Sequence, residues 1–315
     1  MELSKPLVSV LMPAYNAEPF VAEAIKGVLN QTYSNLELLI ADDASTDNTK
    51  NIVSTFSDSR IKLFHNDKNL GYLQTWNKLI KEAKGEYITF QDADDLCALN
   101  RIELLVEVLD SNRDVSVVSS NFTRITSDNR AEETSDFPTE HTAIQNAMPQ
   151  QFYFIGSALM IRKIVYETIG GYHTFFDRMG AEDHYWVYLV LEKFKMTSLK
   201  EALYHYRFNE NSVSGNISNN PSKINAQQIC AHLIAQRRAT ETDDLQEGKD
   251  DVLKQKLAQL NKPFVDDSSY YYYYVAKRRF YEGHKGLAIK NMWKAIQTSP
   301  WRFNYYKDLF YFLRK

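Results

Sequence analysis

Residues 8–43 read VSVLMPAYNAEPFVAEAIKGVLNQTYSNLELLIADD, and the changes of rhythm inside this stretch decide the fold. Val8 to Met12 is a short apolar run closed by Pro13, as a buried strand would be. After the polar AYNAEP stretch, Val21, Ile25, Val28 and Leu29 recur at the spacing that lines one face of a helix. Leu36 to Ala41 is apolar again and runs into Asp42-Asp43. Strand, helix, strand at this spacing is a βαβ unit, which crosses over right-handed and lays its strands parallel.

The same alternation continues outward. A short helix with Ile52, Val53 and Phe56 inward precedes a strand at Ile61 to Phe64. Leu73, Trp76, Leu79, Ile80 and Ala83 mark the next helix, and Tyr87 to Gln91 the next strand. Ile102, Leu105, Val106 and Leu109 give another helix, and Val115 to Ser119 a fifth strand. The expectation is an α/β fold on a parallel sheet. Asp128 to Thr142 reads as an irregular loop and Gln151 to Arg162 as strand. A helix around Val165 to Ile169 stops at Gly170-Gly171, Glu182 to Phe194 is helical, and Leu199 to Phe208 is a last strand. Asn209 to Ser222 is a polar loop, long for a connection. Beyond it the chain reads as helical, with helices over Ile224 to Arg238 and Tyr270 to Ile296 around the acidic linker ETDDLQEGKDD. The division expected is a catalytic domain over 1–215 and a helical region over 216–315.

Composition narrows the class. The chain has 315 residues, 44% hydrophobic and 24% charged, an ordinary globular balance that excludes collagenous, disulfide-scaffold and wholly disordered proteins. A net charge of −3 gives no global reason to bind nucleic acid, and none is expected as a partner. Cys97 and Cys230 are too few for a disulfide framework or a cysteine zinc site. No apolar run reaches the ~18 residues of a spanning helix, and MELSKP does not resemble a signal peptide. A cytoplasmic protein is expected. Charge is divided by region: Pro263 to Lys315 holds ten Lys/Arg against four Asp/Glu, +6, which leaves −9 for the rest. Tyrosine and phenylalanine crowd that same stretch. Basic-aromatic interleaving there suits a helical subdomain, a second subunit in a homo-oligomer, or the inner face of a membrane.

Ligands of an open parallel sheet bind at the carboxyl ends of its strands. Pro13-Ala14-Tyr15-Asn16 follows the first strand, Asp42-Asp43 the second, and Asp92-Ala93-Asp94-Asp95 the fourth. Asn16 also suits a helix cap, and Asp42 and Asp43 suit a turn. The DADD cluster is harder to explain locally, because crowded carboxylates repel unless a cation or a donor-rich ligand neutralises them. Hard oxygen ligands suit Mg²⁺ or Mn²⁺ holding phosphate oxygens. Neither a G-x-G-x-x-G turn nor a P-loop occurs, which argues against a dinucleotide oxidoreductase or P-loop NTPase. Glu182 and Asp183 open a helix after the Gly170-Gly171 break; they suit its dipole, and a carboxylate there could also act as a general base.

In order along the chain, VSVLMPAYNAEPFVAEAI, LELLIADDASTDNT, NLGYLQTWN, GEYITFQDADDL and GGYHTFFDRMGAEDHYW resemble glycosyltransferase family 2 over roughly residues 6 to 215. The resemblance implies a GT-A fold, a Rossmann-like mostly parallel sheet flanked by helices. It also implies an inverting transferase that moves sugar from a nucleotide-diphosphate donor, most often a UDP-sugar, to a glycan or lipid-linked acceptor in surface polysaccharide synthesis. By the same resemblance Pro13, Ala14, Tyr15 and Asn16 line the nucleoside pocket, and Asp43 bonds the base edge. Gly71 and Asn77 border the nucleotide, Asp92 and Ala93 contact ribose or sugar, and Asp94 ligates Mn²⁺ or Mg²⁺. Asp183 becomes the base that deprotonates the acceptor, with Glu182 and Gly156 placing that acceptor. Two positions depart from the family pattern. Trp76 stands where an arginine is usual, leaving His205, Arg207 or Lys68 as diphosphate contacts, and Ala44 replaces the glycine of the DDGS turn. A metal-dependent nucleotidyltransferase and a non-catalytic nucleotide-binding or scaffolding module are the alternatives; the absence of a Gly-rich turn after the first strand speaks against the former.

Overall fold

The computed structural model describes residues 5–208 and 220–315, so most of the polar loop expected at Asn209 to Ser222 lies outside the described residues. The chain forms two units, Met1–Gly215 and Asn216–Lys315.

In the first unit the alternating pattern gives β1 (Val8–Ala14), α1 (Val21–Leu29), β2 (Leu36–Asp42), α2 (Thr49–Ser54), β3 (Ile61–His65), α3 (Tyr72–Glu82) and β4 (Tyr87–Phe90). There follow β5 (Leu96–Cys97), α4 (Arg101–Ser111), β6 (Val115–Ile125), β7 (Ala131–Thr134) and α5 (His141–Ala147). The unit closes with β8 (Met160–Arg162), α6 (Lys163–Ile169), α7 (Glu182–Lys193) and β9 (Lys195–Arg207). Among the described residues the strands form one sheet in the order β3-β2-β1-β4-β8-β6-β9-β5, with β7 paired to β6. The strands β3, β2, β1 and β4 are mutually parallel. The other half is mixed: β8 runs antiparallel between β4 and β6, while β6 and β9 are parallel.

Register places the site. Val8 pairs with both Leu36 and Tyr87, and Ala14 with Asp42, so the carboxyl ends of β1, β2 and β4 come out on one edge. The segments that emerge there are Tyr15-Asn16, Asp43 and Asp92 to Asp95. One face of the sheet holds Val8, Val10, Met12, Leu38 and Ile40 against Val21, Ile25 and Val28 of α1 and Ile102, Leu105 and Leu109 of α4. Trp76 on α3 is fully buried and stacks on Tyr172 with ring centres 4.0 Å apart, so it belongs to packing.

Three sequence expectations change. Gln151 to Arg162 is not one strand: Gly156–Ala158 is a short 3₁₀ turn and only Met160–Arg162 pairs. Alternation alone could not distinguish a strand from an aromatic arm whose rings pack sideways, as Phe152 does on His184, 3.7 Å between centres. Asp128 to Thr142 is not simply loop. β7 forms a hairpin with β6 through Asn129 at φ 66, and its exposed residues carry no apolar rhythm to read. β6 also runs on to Ile125, past the expected end at Ser119.

The second unit contains α8 (Pro221–Thr240), α9 (Asp250–Asp266), α10 (Ser268–Tyr281), α11 (Lys285–Thr298) and α12 (Phe303–Arg314). Asn220 caps α8 by accepting the Ser222 N–H at 3.0 Å, and Pro221 occupies the first turn, where its missing N–H costs nothing. The single helix expected over Tyr270 to Ile296 is broken at Gly283, whose φ of 86 reverses the chain between α10 and α11. Ala276 of α10, Ala288 and Met292 of α11, and Tyr305, Leu309 and Phe312 of α12 form its main apolar core.

Candidate active site

The loops after β1 and β2 are zipped together. Asn16, at φ 48, accepts from the Thr46 N–H at 2.8 Å and Thr46 Oγ1 at 3.2 Å, while Ser45 Oγ accepts the Asn16 N–H at 3.0 Å. Its amide oxygen thus braces the neighbouring loop. Tyr15 beside it is exposed, and Pro13 and Ala14 supply the strand end. Ala44 takes a φ of 58, the left-handed conformation that a glycine there would adopt freely.

Asp43 is buried, and its carboxylate accepts three hydrogen bonds, each 2.8 Å: Asn66 Nδ2 and the Leu70 N–H on Oδ1, and the Gly71 N–H on Oδ2. It fixes the turn that launches α3. Gly71 (φ 90) lies where an added Cβ would sit 3.4 Å from Asp177 Oδ1 and 3.5 Å from Arg178 Cζ. Arg178 was not singled out from sequence. Its Nη2 donates to the Asn69 carbonyl and side chain, both at 2.9 Å, which brings a cation to the start of α3. Lys68 lines an open cavity of about 410 Å³ with His65, Asn66, Leu70 and Lys78.

Asn77 lies on α3 against the turn ahead of α7. Its amide donates to the Tyr172 carbonyl and accepts the Tyr172 N–H, both at 2.8 Å, so it clamps the Gly171-Tyr172 turn. A Cβ on Gly171 would meet Asn77 Oδ1 at 2.3 Å. Arg207 is likewise occupied. Its buried guanidinium donates to the carbonyls of Asp94 (2.6 Å), Thr126 (3.0 Å) and Ser127 (3.1 Å) and to Asn129 Oδ1 (2.6 Å), and it lies over the Phe20 ring. It is a strut beneath the acidic loop, not a free cation for a diphosphate. His205 is held toward its neutral form by burial.

The acids themselves converge. Burial, then the charge of Asp94, pushes the Asp92 carboxyl up to about 7, with Ser157 and Tyr72 hydroxyls pulling the other way; its backbone N–H donates to Tyr204 Oη at 3.1 Å. Asp94 is also raised, mainly by burial. Asp95 is raised well above the carboxylate range by burial and by both neighbours; its Oδ1 accepts the Arg207 N–H at 2.7 Å and its buried Oδ2 has no partner. Glu182 is pushed up to about 8 by burial and by the charges of Asp183, Asp177 and Asp92. Tyr72 is held well above the ordinary phenol range by burial first and then by the charges of Asp92, Glu182 and Asp183. Asp183 accepts the His184 N–H on Oδ1 at 2.8 Å, and an added Cβ on Gly156 would stand 3.1 Å from its Oδ2. The missing side chain of Gly156 is what lets Asp183 approach. Ala93 is buried between the acids.

Ser157, expected with Gly156 to shape the sugar pocket beside Asp92, joins this cluster, and sequence reasoning misses Tyr72 of α3, Tyr204 of β9 and the adjacent Asp177-Arg178 ahead of α7; these come from distant parts of the chain, so no local spacing announces them. Among the described residues no three His, Cys, Asp or Glu side chains gather to hold an ion by themselves. Asp94 nevertheless fits a hard divalent cation shared with a ligand, since Mg²⁺ is commonly held by one or two carboxylates plus substrate phosphates. The buried, unpartnered Oδ2 of the neighbouring Asp95 is consistent with such sharing.

Comparison with known proteins gives a family and a fold. EpsE of Bacillus subtilis (strain 168), provisionally named a glycosyltransferase, is 33% identical over 214 residues, 65% of this chain and 74% of that one. The Escherichia coli protein UDP-Glc:alpha-D-GlcNAc-diphosphoundecaprenol beta-1,3-glucosyltransferase WfgD is 43% identical over 116 residues, 37% of this chain and 46% of its own length, so the match spans under half of that relative. The crystal structure of S. aureus TarS 1-349 in complex with UDP-GlcNAc superposes with a TM-score of 0.59 at 19% identity, covering 92% of this chain and 81% of that one, and shares the GT-A fold. Residues 9–170 match the family described as Glycosyl transferase family 2, and the chain belongs to that family.

Proposed function

We propose that the protein transfers a sugar from a nucleotide-diphosphate donor, a UDP-sugar foremost, to a hydroxyl of a glycan or lipid-linked glycan in surface polysaccharide synthesis, with inversion at the anomeric carbon. The observation that carries this reading is the gathering of buried acids from two distant segments: Asp92, just after β4, is acted on by Asp94 and Asp183, Glu182 by Asp183 and Asp92, and Asp183 Oδ2 fills the space beside Gly156. The WfgD relative, a UDP-glucose transferase acting on a diphosphoundecaprenol-linked sugar by its name, supports the donor and acceptor classes.

In this reading Tyr15 stacks on the base, and Asp43 acts through the Asn69–Gly71 turn as well as at the base edge. Asp92 meets ribose or sugar, while Lys68, and Arg178 held by Asn69 at the start of α3, are the cations that meet phosphate oxygens. A divalent cation bound at Asp94 would neutralise the charge that builds on the departing diphosphate. Asp183 Oδ2 accepts the proton of the acceptor hydroxyl. The hydroxyl oxygen bonds the anomeric carbon from the face opposite the diphosphate, whose C–O bond breaks, so configuration inverts. Glu182, held protonated, can donate a hydrogen bond to the acceptor without adding a second negative charge beside the base.

Titration calorimetry with UDP-, GDP- and dTDP-sugars, in Mn²⁺ and in EDTA, tests the donor site. Metal-dependent binding of one nucleotide, weakened at least tenfold in Asp94→Ala, is the result expected. No binding to any of them by folded protein would move the reading to a non-catalytic module.

A further inference from the structure

α12 carries two apolar stripes, and the bundle uses one of them. Tyr305, Leu309 and Phe312 are buried among α10 and α11. Phe303, Tyr306, Phe310 and Leu313 recur at the same helical spacing on the other side, exposed by 84%, 40%, 61% and 53%. Trp301, 71% exposed, directly precedes them. Four large side chains in one exposed row exceed the scattered apolar residues of an ordinary surface.

The charges beside the row have one sign. Lys307 follows Phe303 by one turn and Arg314 follows Phe310 by one turn, with the Arg314 guanidinium 5.4 Å from the Phe310 ring centre. The acid of this helix, Asp308, is engaged by the Tyr273 hydroxyl at 2.7 Å, and Asp267 pairs with Arg302. Neither Lys307 nor Arg314 has a carboxylate partner among the described residues. A second copy that met this face with its own α12 would set the same basic edge against it, and the part of the chain that carries −9 presents, among the described residues, only scattered exposed apolar side chains. An anionic bilayer surface supplies both at once: acyl chains for the aromatic row and headgroups for the basic edge. Aromatic rings prefer that interface.

We propose that the exposed face of α12 docks on anionic phospholipid, with Phe303, Phe310 and Leu313 entering the headgroup–acyl boundary and Lys307 and Arg314 on the lipid phosphates. This surface is independent of the transfer reading and fails or stands separately from it.

The test is cosedimentation of the full-length protein with phosphatidylglycerol/phosphatidylcholine vesicles and with phosphatidylcholine alone, comparing wild type, Phe303→Ser/Phe310→Ser and Lys307→Glu/Arg314→Glu. These side chains are exposed, and circular dichroism checks that each variant folds. Binding to the anionic vesicles only, reduced at least tenfold in both variants, is expected. Equal binding to both lipids, no binding to the anionic vesicles, or variants that sediment like wild type would overturn the proposal. So would a wild-type dimer in light scattering that Phe303→Ser/Phe310→Ser dissociates while vesicles remain unbound.

Discussion

Ala44 holds a left-handed backbone at φ 58 in the turn that carries Asp43. An L side chain pays ~1–2 kcal/mol for that conformation, while glycine loses roughly 0.5–1 kcal/mol through its freer unfolded chain. Ala44→Gly is therefore expected to raise stability slightly, by up to about 1 kcal/mol, and the β-branched Ala44→Val to lower it; urea midpoints read both. Glu182 gives a pH signature. Its carboxyl is held up to about 8 in the folded chain, against ~4.3 in an unfolded one. Between those values the folded state keeps a proton that the unfolded state has released, so stability falls as pH rises through that window. Glu182→Gln removes this titration. Thermal melts at pH 5 and pH 8 should show a smaller loss in the variant than in wild type; equal losses would contradict the assignment.

At the scale of elements, Asn77 ties α3 to the Gly171-Tyr172 turn that precedes α7. Asn77→Ala leaves the Tyr172 backbone groups unpaired and is expected to cost ~1–3 kcal/mol of stability, with donor affinity changed less than threefold. A large loss of donor binding at unchanged stability would instead support the expected place of Asn77 beside the nucleotide. The elements were legible where burial is one-sided. Trp76, Leu79 and Ile80 announce α3, and Leu36 to Ala41 announces β2, because the core dictates their residue types. Legibility failed where it does not. β7 is exposed throughout, and the space beside Gly156 in the 3₁₀ turn is filled by Asp183 from far along the chain. The direction of β8 depends on which strands flank it, and its own three residues carry no such information.

Across the whole molecule, the acidic motifs and their order were readable because Asp43, Asp92 and Asp94 follow strand ends that the βαβ rhythm locates and Asp183 opens a helix just after a glycine break. Asp43, Asp92, Asp94 and Asp183 needed no coordinates to be singled out. Tyr72 and Arg178 did, since their polar groups gain a role only when separate segments meet. Asp183 carries the central claim, that this constellation performs glycosyl transfer with that carboxylate as base. The direct measurement is the rate of UDP release from the UDP-sugar in the presence of a lipid-linked glycan acceptor, taken beside calorimetric donor affinity, for wild type and Asp183→Asn. A general base is worth ~10²–10⁴-fold in rate, so the account predicts a loss of at least about 100-fold with donor affinity within threefold. Turnover retained in Asp183→Asn, with the donor still bound, would contradict it.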